Sequence, residues 1–234
     1  GTPAQITAAL VTDGTKITAA AAKVTFVTTN PTAAELAEIN AKTTGAITLA
    51  DNSQTFSGSA ATLVSAFSGG LVGTQTGAVT ITGADPTIAQ LKTINNATTG
   101  TVTLPNPSAS FSGTAADLAD AFSGGSISSN VTLTTDPTPA QLKAINDATN
   151  GTITLSDNAA TFSGTAANLA GAFNGGLVGT QTGAVTVSDT SGTIAATTLS
   201  SIGEQTDGVV TAASNGITIS GTTAQLTAAL VTSS

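Results

Sequence analysis

Cysteine, methionine, tryptophan, tyrosine, histidine and arginine are all missing from this 234-residue chain, and each absence closes off some chemistry. Without histidine or cysteine there is no imidazole base and no thiolate nucleophile, which removes the commonest nucleophilic and general-base arrangements. Without cysteine there are no disulfides, and the redox compartment stays undetermined. The basic residues are five lysines, Lys16, Lys23, Lys42, Lys92 and Lys143, and the net charge is -8 with a pI near 4.1. Nucleic acid needs clustered Lys or Arg to release counterions, and an anionic membrane surface needs a polybasic patch. Neither partner is expected. No apolar run approaches the roughly 20 residues that cross a bilayer, so membrane insertion is not expected. No charged n-region with an apolar h-region opens the chain, which reads as an excised segment or a mature product.

What is present is mostly Ala, Thr, Gly, Ser, Val, Leu and Ile. Hydrophobic residues reach 40%, enough for a core, but aromatics are 3% and charged residues 8%. The core must be thin and built from small, closely spaced side chains.

Self-similarity organises the whole sequence. Val24, Val79, Val131 and Val185 each open a V-T strand-like stretch, so a period of about 54 residues runs through the chain. The twelve letters GGLVGTQTGAVT occur twice, at Gly69–Thr80 and at Gly175–Thr186. The start, GTPAQITAAL, matches the end, GTTAQLTAAL, and the internal GTAADLADAF and GTAANLAGAF. We read 1–234 as one repeat array: a partial repeat over 1–23, repeats over 24–78, 79–130 and 131–184, and a diverged or terminal repeat over 185–234. Both boundaries cut the pattern at the same feature, as expected of a piece of a longer array.

Each repeat reads as strand, helix, strand, a second short strand or turn, helix and connector. Val79–Thr82 (VTIT) and Thr101–Leu104 (TVTL) alternate apolar residues with Thr, as strands with one buried face do. The helix starts carry capping boxes, in which a Thr hydroxyl accepts from the backbone three residues on and a Gln or Glu reaches back. These are Thr2/Gln5, Thr32/Glu35, Thr87/Gln90, Thr138/Gln141 and Thr222/Gln225, with Thr114/Asp117 and Thr165/Asn168 as weaker versions. Gly45, Gly100 and Gly151 are expected to close the first helices as C-terminal caps, and Gly69-Gly70, Gly124-Gly125 and Gly175-Gly176 the second.

Helices of about ten residues are marginal alone, so stability is expected from stacking each repeat on its neighbours, as in solenoids. Phe56/Phe67, Phe111/Phe122 and Phe162/Phe173 are each eleven apart, and Ile219 and Leu230 keep the spacing. We expect two apolar columns along the array, one from each member of the pair. In the last repeat Asp189-Thr190-Ser191-Gly192 replaces the Pro-Thr turn, and Asn215-Gly216 signals a hairpin between Val209–Thr211 and Ile217–Ile219.

Candidate chemistry meets plain explanations. Asp51-Asn52 and Asp157-Asn158 lack the dense acidic spacing of a calcium loop and read as turn-forming residues. Asn40, Asn95 and Asn146, matched at the ends of first helices, read as a ladder bonding backbone between repeats. GGLVGTQTGA contains neither a phosphate-loop nor a dinucleotide fingerprint and reads as a connector. No catalytic residue, cofactor or metal ligand is assigned. One surface stands out: Thr80/Thr82, Thr101/Thr103 and Thr152/Thr154 are T-x-T pairs leaving one sheet face, and stacking would array them in a grid like that of ice-binding β-solenoids. Against this, Thr also satisfies strand propensity on any wet face.

The DPTxAQLKxINxATxG and FSGTAAxLAxAF units, rich in Thr, Ala, Ser and Gly, resemble the repeat regions of very large bacterial surface or adhesin-like proteins of the cyanobacterial type. The resemblance covers essentially the whole chain and carries over no catalytic or binding residue. It implies a secreted, multi-repeat parent in which these units act as spacer, scaffold or surface layer, with neighbouring repeats and other cell-surface components as partners. The expectation is thus an α/β solenoid of about four 54-residue strand-helix-strand-helix repeats, with a mostly parallel sheet and short capped helices packed alongside. Its role is expected to be non-enzymatic and extracellular, with a Thr surface for ice or carbohydrate as the alternative. Whether a repeat is one coil or two shorter ones stays open.

Overall fold

In a computed structural model the chain is α/β, with short helices and short parallel strands. The structure describes residues 1–12, 20–123, 129–212 and 214–230; Lys16 and the Gly124-Gly125 helix stop lie outside them. Two compact units form, Gly1–Ala109 with Ala121–Ile127, and Ser110–Asp120 with Ser128–Ser234.

The first unit contains α1 (Pro3–Leu10), β1 (Val24–Thr25), α2 (Ala33–Asn40), β2 (Ile47–Thr48), β3 (Phe56–Ser59), α3 (Ala60–Phe67), β4 (Val79–Thr82), α4 (Ile88–Ala97) and β5 (Val102–Thr103). β1 pairs with β2, and β3, β4 and β5 form a three-stranded sheet in that order. Every pair is parallel. Val24 faces Ile47, Phe56 faces Val79, and Val79 faces Val102. Val79 and Ile81 are buried while Thr80 and Thr82 are exposed, the one-sided alternation read from VTIT.

The second unit holds β6 (Ser110–Gly113), most of α5 (Ala115–Phe122), β7 (Asn130–Leu133), α6 (Pro139–Ala148), β8 (Ile153–Thr154), β9 (Phe162–Gly164) and α7 (Ala166–Phe173). It continues with β10 (Val185–Val187), β11 (Gly192–Ala195), α8 (Ala196–Gly203), β12 (Val210–Ala212), β13 (Ile217–Ser220) and α9 (Thr223–Leu230). Its sheets run β6-β7-β8, β9-β10-β12 and β11-β13, again all parallel.

The partners lie between 20 residues apart, Phe111 to Val131, and 25 apart, Val185 to Val210. Val131 pairs with Ile153, and Ile153 bridges Leu177. Each step between paired strands carries one helix; "coil" below means one such step. Consecutive helices pack on one another within each unit, α1 through α4 in the first and α6 through α9 in the second.

The helix starts follow from the sequence. At α6, Thr138 N donates to Gln141 Oε1 at 2.9 Å, and Gln141 N donates to Thr138 Oγ1 at 3.3 Å. The same reciprocal pair forms at Thr2/Gln5, Thr32/Glu35, Thr87/Gln90 and Thr222/Gln225. α8, in the diverged repeat, starts after Ala195 with no side-chain cap.

Two expectations are corrected. Asn215-Gly216 does not make a hairpin: β12 pairs with β10, and β13 pairs with β11, each in parallel with a strand of the preceding coil. The long-range backbone bonds outweigh the local turn preference. Gly45, Gly100 and Gly151 are also not left-handed helix caps, since the positive-φ glycines of the chain do not include them. Their role is close approach, described next.

Candidate functional site

The strongest recurring constellation is Ser/Thr-x-Gly at coil junctions. Thr43, Thr98, Thr149 and Thr206 follow the first helix of successive repeats and are buried. Each hydroxyl donates to a backbone carbonyl of the preceding coil: Ala22 O at 2.6 Å, Gly77 O at 2.8 Å, Ser129 O at 2.5 Å and Gly183 O at 3.1 Å. Each oxygen also accepts from the amide two residues on, at Gly45, Gly100, Gly151 and Gly208, at 2.9–3.0 Å. One hydroxyl thus satisfies a carbonyl across the junction and an amide on its own side, so neither is buried unpaired.

The glycine is required by space. A Cβ at Gly45, Gly100, Gly151 or Gly208 would stand 2.1–2.2 Å from the backbone oxygen of the coil below. In the last coil Ser214 and Gly216 repeat the device: Ser214 Oγ donates to Thr190 O at 3.1 Å, Gly216 N donates to Ser214 Oγ at 3.0 Å, and a Cβ on Gly216 would meet Thr190 O at 2.4 Å. The Asn-Gly pair that resembled a hairpin turn is the second half of this motif.

Alternate junctions use Gln-x-Gly. Gln75 and Gln181, inside the duplicated GGLVGTQTGAVT, are 2% and 1% exposed. Their Nε2 groups donate to Asn52 Oδ1 and Asn158 Oδ1, each at 3.3 Å. Asn52 and Asn158 in turn hold the same loops through Thr76 N and Thr182 N, which donate to their carbonyls at 2.8 Å. Identical sequence gives identical geometry in both units. The connector reading missed these buried amides; a glutamine between threonines, repeated letter for letter, was the available signal.

The asparagines expected to bond backbone between repeats bond instead within their own repeat, Asn40 and Asn146 to backbone and Asn95 to a side chain. Asn40 Nδ2 donates to Ser65 O and Asn146 Nδ2 to Gly171 O, both at 2.9 Å, while Asn95 Nδ2 donates to Ser123 Oγ at 2.9 Å. The carboxylates at the calcium-like positions act in turns. Asp51 Oδ1 accepts from Ser53 N at 2.8 Å and Ser53 Oγ at 2.7 Å, and those two bonds hold its pKa below the ordinary 3.8. Asp157 Oδ1 accepts from Ala159 N at 2.7 Å. Among the described residues no three His, Cys, Asp or Glu side chains gather as metal ligands would.

The six phenylalanines of the eleven-spaced pairs are all buried, as is Phe26. Phe56 meets Phe67 edge to face with centroids 5.4 Å apart, and Phe162 meets Phe173 in the same way at 5.3 Å. Along the sheets Phe56 lies in register with Val79, Phe111 with Val131, and Phe162 with Val185. Phe67, Phe122 and Phe173 end helices α3, α5 and α7.

Of the T-x-T threonines, Thr80, Thr82, Thr103 and Thr154 fall in register with neighbouring strands, while Thr101 and Thr152 precede theirs. Ser57, Thr80 and Thr103 form one row across β3-β4-β5, Ser59 and Thr82 a second, and Ser112, Thr132 and Thr154 a row across β6-β7-β8. Thr80, Thr82, Thr101, Thr103 and Thr152 are exposed and Thr154 is half-buried. Thr152 Oγ1 lies 3.0 Å from Asn130 Oδ1 and donates to it. Bonded strands lie about 4.8 Å apart, which sets the row spacing.

Compared with protein-family models, with curated proteins and with solved structures, the chain has no match in any of the three.

Proposed function

We propose that this chain is a non-enzymatic structural segment: about four 54-residue repeats of an α/β solenoid, two coils to a repeat, acting as scaffold, spacer or surface layer in a large extracellular bacterial protein. The observation that carries the reading is where buried polarity goes. Thr43, Thr98, Thr149 and Thr206 bond backbone 20–23 residues away, and Gln75 and Gln181 reach the asparagine of the neighbouring coil. These hydroxyls and Nε2 groups hold one coil on the next, while Oε1 of Gln75 and of Gln181 is buried without a partner. The repeat style, with its resemblance to bacterial surface arrays, supplies the cellular setting.

Tandem arrays of residues 131–184 in two, four and six copies test this. Nearest-neighbour stacking predicts that the thermal midpoint climbs with copy number and then levels off, while the longest dimension in small-angle scattering grows linearly. Equal midpoints at all three lengths would sink the stacking reading. An antibody to the segment should label intact cells of the source organism; labelling only after lysis would remove the surface assignment.

A second reading, an ordered-water or ice-binding face, is favoured by the in-register hydroxyl rows of β3-β4-β5 and β6-β7-β8. Thermal hysteresis or ice shaping by the chain would establish it, and its absence would dismiss it.

A further inference from the structure

At Thr43, Thr98, Thr149, Thr206 and Ser214 a hydroxyl closes the junction, donating to a carbonyl 20–24 residues back and accepting from the glycine amide two residues on. At Gln75 and Gln181 the same two backbone groups meet without a hydroxyl. Gly77 and Gly183 are buried, and a Cβ on them would stand 1.8 Å from Gln54 O and 1.9 Å from Ala160 O, closer than at any hydroxyl junction. Among the described residues Gly77 N and Gly183 N donate to nothing, and the carbonyls of Gln54 and Ala160 accept nothing. The glutamine side chain does not bridge them. Gln75 Nε2 turns to Asn52 Oδ1 at 3.3 Å and Gly73 O at 3.4 Å, long contacts for a hydrogen bond. Its Oε1, on a residue 2% exposed, has no partner, and Gln181, 1% exposed, repeats both features.

We infer that each glutamine junction binds one internal water molecule, which takes the place of the threonine hydroxyl. The water oxygen accepts from Gly77 N, and its two protons go to Gln54 O and Gln75 Oε1; Gly183, Ala160 and Gln181 hold the second water in the same way. One donor and two acceptors match the roughly three hydrogen bonds that a buried water makes, and polar groups left unpaired in an interior are otherwise costly. The chemistry of the set selects water over a metal ion. An amide N–H would face the cation, and no carboxylate belongs to the set, whereas hard cations take six or more oxygens. The backbone supplies two of the three partners, so Gln54 in one copy and Ala160 in the other serve equally. Glutamine is needed because its long side chain can reach Asn52 with one end and leave Oε1 for the water.

Oxygen-17 relaxation dispersion, which counts water molecules that tumble with the protein, tests this on the full chain. Gln75→Thr with Gln181→Thr writes the hydroxyl junction into both sites, so the count should fall by two, and by one for either substitution alone. Gln75→Val with Gln181→Val keeps the shape of threonine without its hydroxyl and should melt at a lower temperature than the threonine pair. In the unaltered chain, water–amide rotating-frame NOE spectra should show direct cross-peaks at Gly77 and Gly183. That measurement needs no variant and decides the matter even if the substituted chains fail to fold. Four outcomes would overturn the inference: fewer than two long-lived waters in the unaltered chain, a count that the threonine pair leaves unchanged, equal thermal midpoints for the threonine and valine pairs, or no water cross-peak at Gly77 and Gly183.

Discussion

α7 (AANLAGAF) and α9 (TAQLTAAL) share alanine at Ala167/Ala224 and Ala172/Ala229 and leucine at Leu169/Leu226, and they differ in what lies on either side. α7 touches both α6 and α8, and its Ala166, Leu169, Ala172 and Phe173 are buried. α9 packs on α8 and has no buried residue. Burial in this chain is thus a property of neighbours. Leu169 and Ala172 are core between two helices, while their counterparts Leu226 and Ala229 are only half-buried.

Truncation should expose that contrast most strongly. Leu169→Ala removes a fully buried side chain and should cost about 2–5 kcal/mol, whereas Leu226→Ala, half-exposed on α9, should stay within about 0.5 kcal/mol. Urea melts of the two variants check this, and similar losses would mean that α9 is packed as tightly as α7.

The junction glycines sharpen the comparison next. Gly151→Ala sets a Cβ 2.2 Å from Ser129 O between two covered coils and should cost about 1–3 kcal/mol, as overpacking does. Gly216→Ala meets Thr190 O at 2.4 Å in the last coil, which can shift outward, and its loss should be the smaller. Thermal melts of both, with Thr149→Val as the matching loss of the hydroxyl bridge, would reveal whether covered junctions are the rigid ones.

Acid gives the smallest effect. The folded-state pKa of Asp51 is depressed by its bonds to Ser53, so whatever stability it contributes is present above the ordinary value of 3.8 and disappears as pH falls through the lowered value. Asp51 is fully exposed, and Asp51→Asn should therefore flatten the acid limb of a thermal-midpoint titration only slightly. A large change would mean that the Asx turn holds more than its own loop.

Local features were legible in advance: the capped helix starts, because Thr-x-x-Gln is a short-range device, and the buried phenylalanines, because they are the only aromatic side chains. What was not legible depends on partners 20–25 residues away. Nothing local distinguishes Gly151, pressed against Ser129 O, from a helix-stopping glycine, or Ser214-Asn215-Gly216 from a hairpin turn. Gln75 is polar and flanked by threonines, yet lies in the interior because Asn52 of the neighbouring coil supplies its acceptor. The hydroxyl rows were visible as T-x-T spacing, but their register became visible only with the strand pairing.

The coil step itself sets a material economy. Twenty to 25 residues advance the chain by one strand separation, about 4.8 Å, whereas the same residues as a single helix would reach about 1.5 Å each. Because the bonds at the junction fix the register, a loop can lengthen by several residues without altering that advance. A chain folded this way gains perimeter and surface far faster than reach.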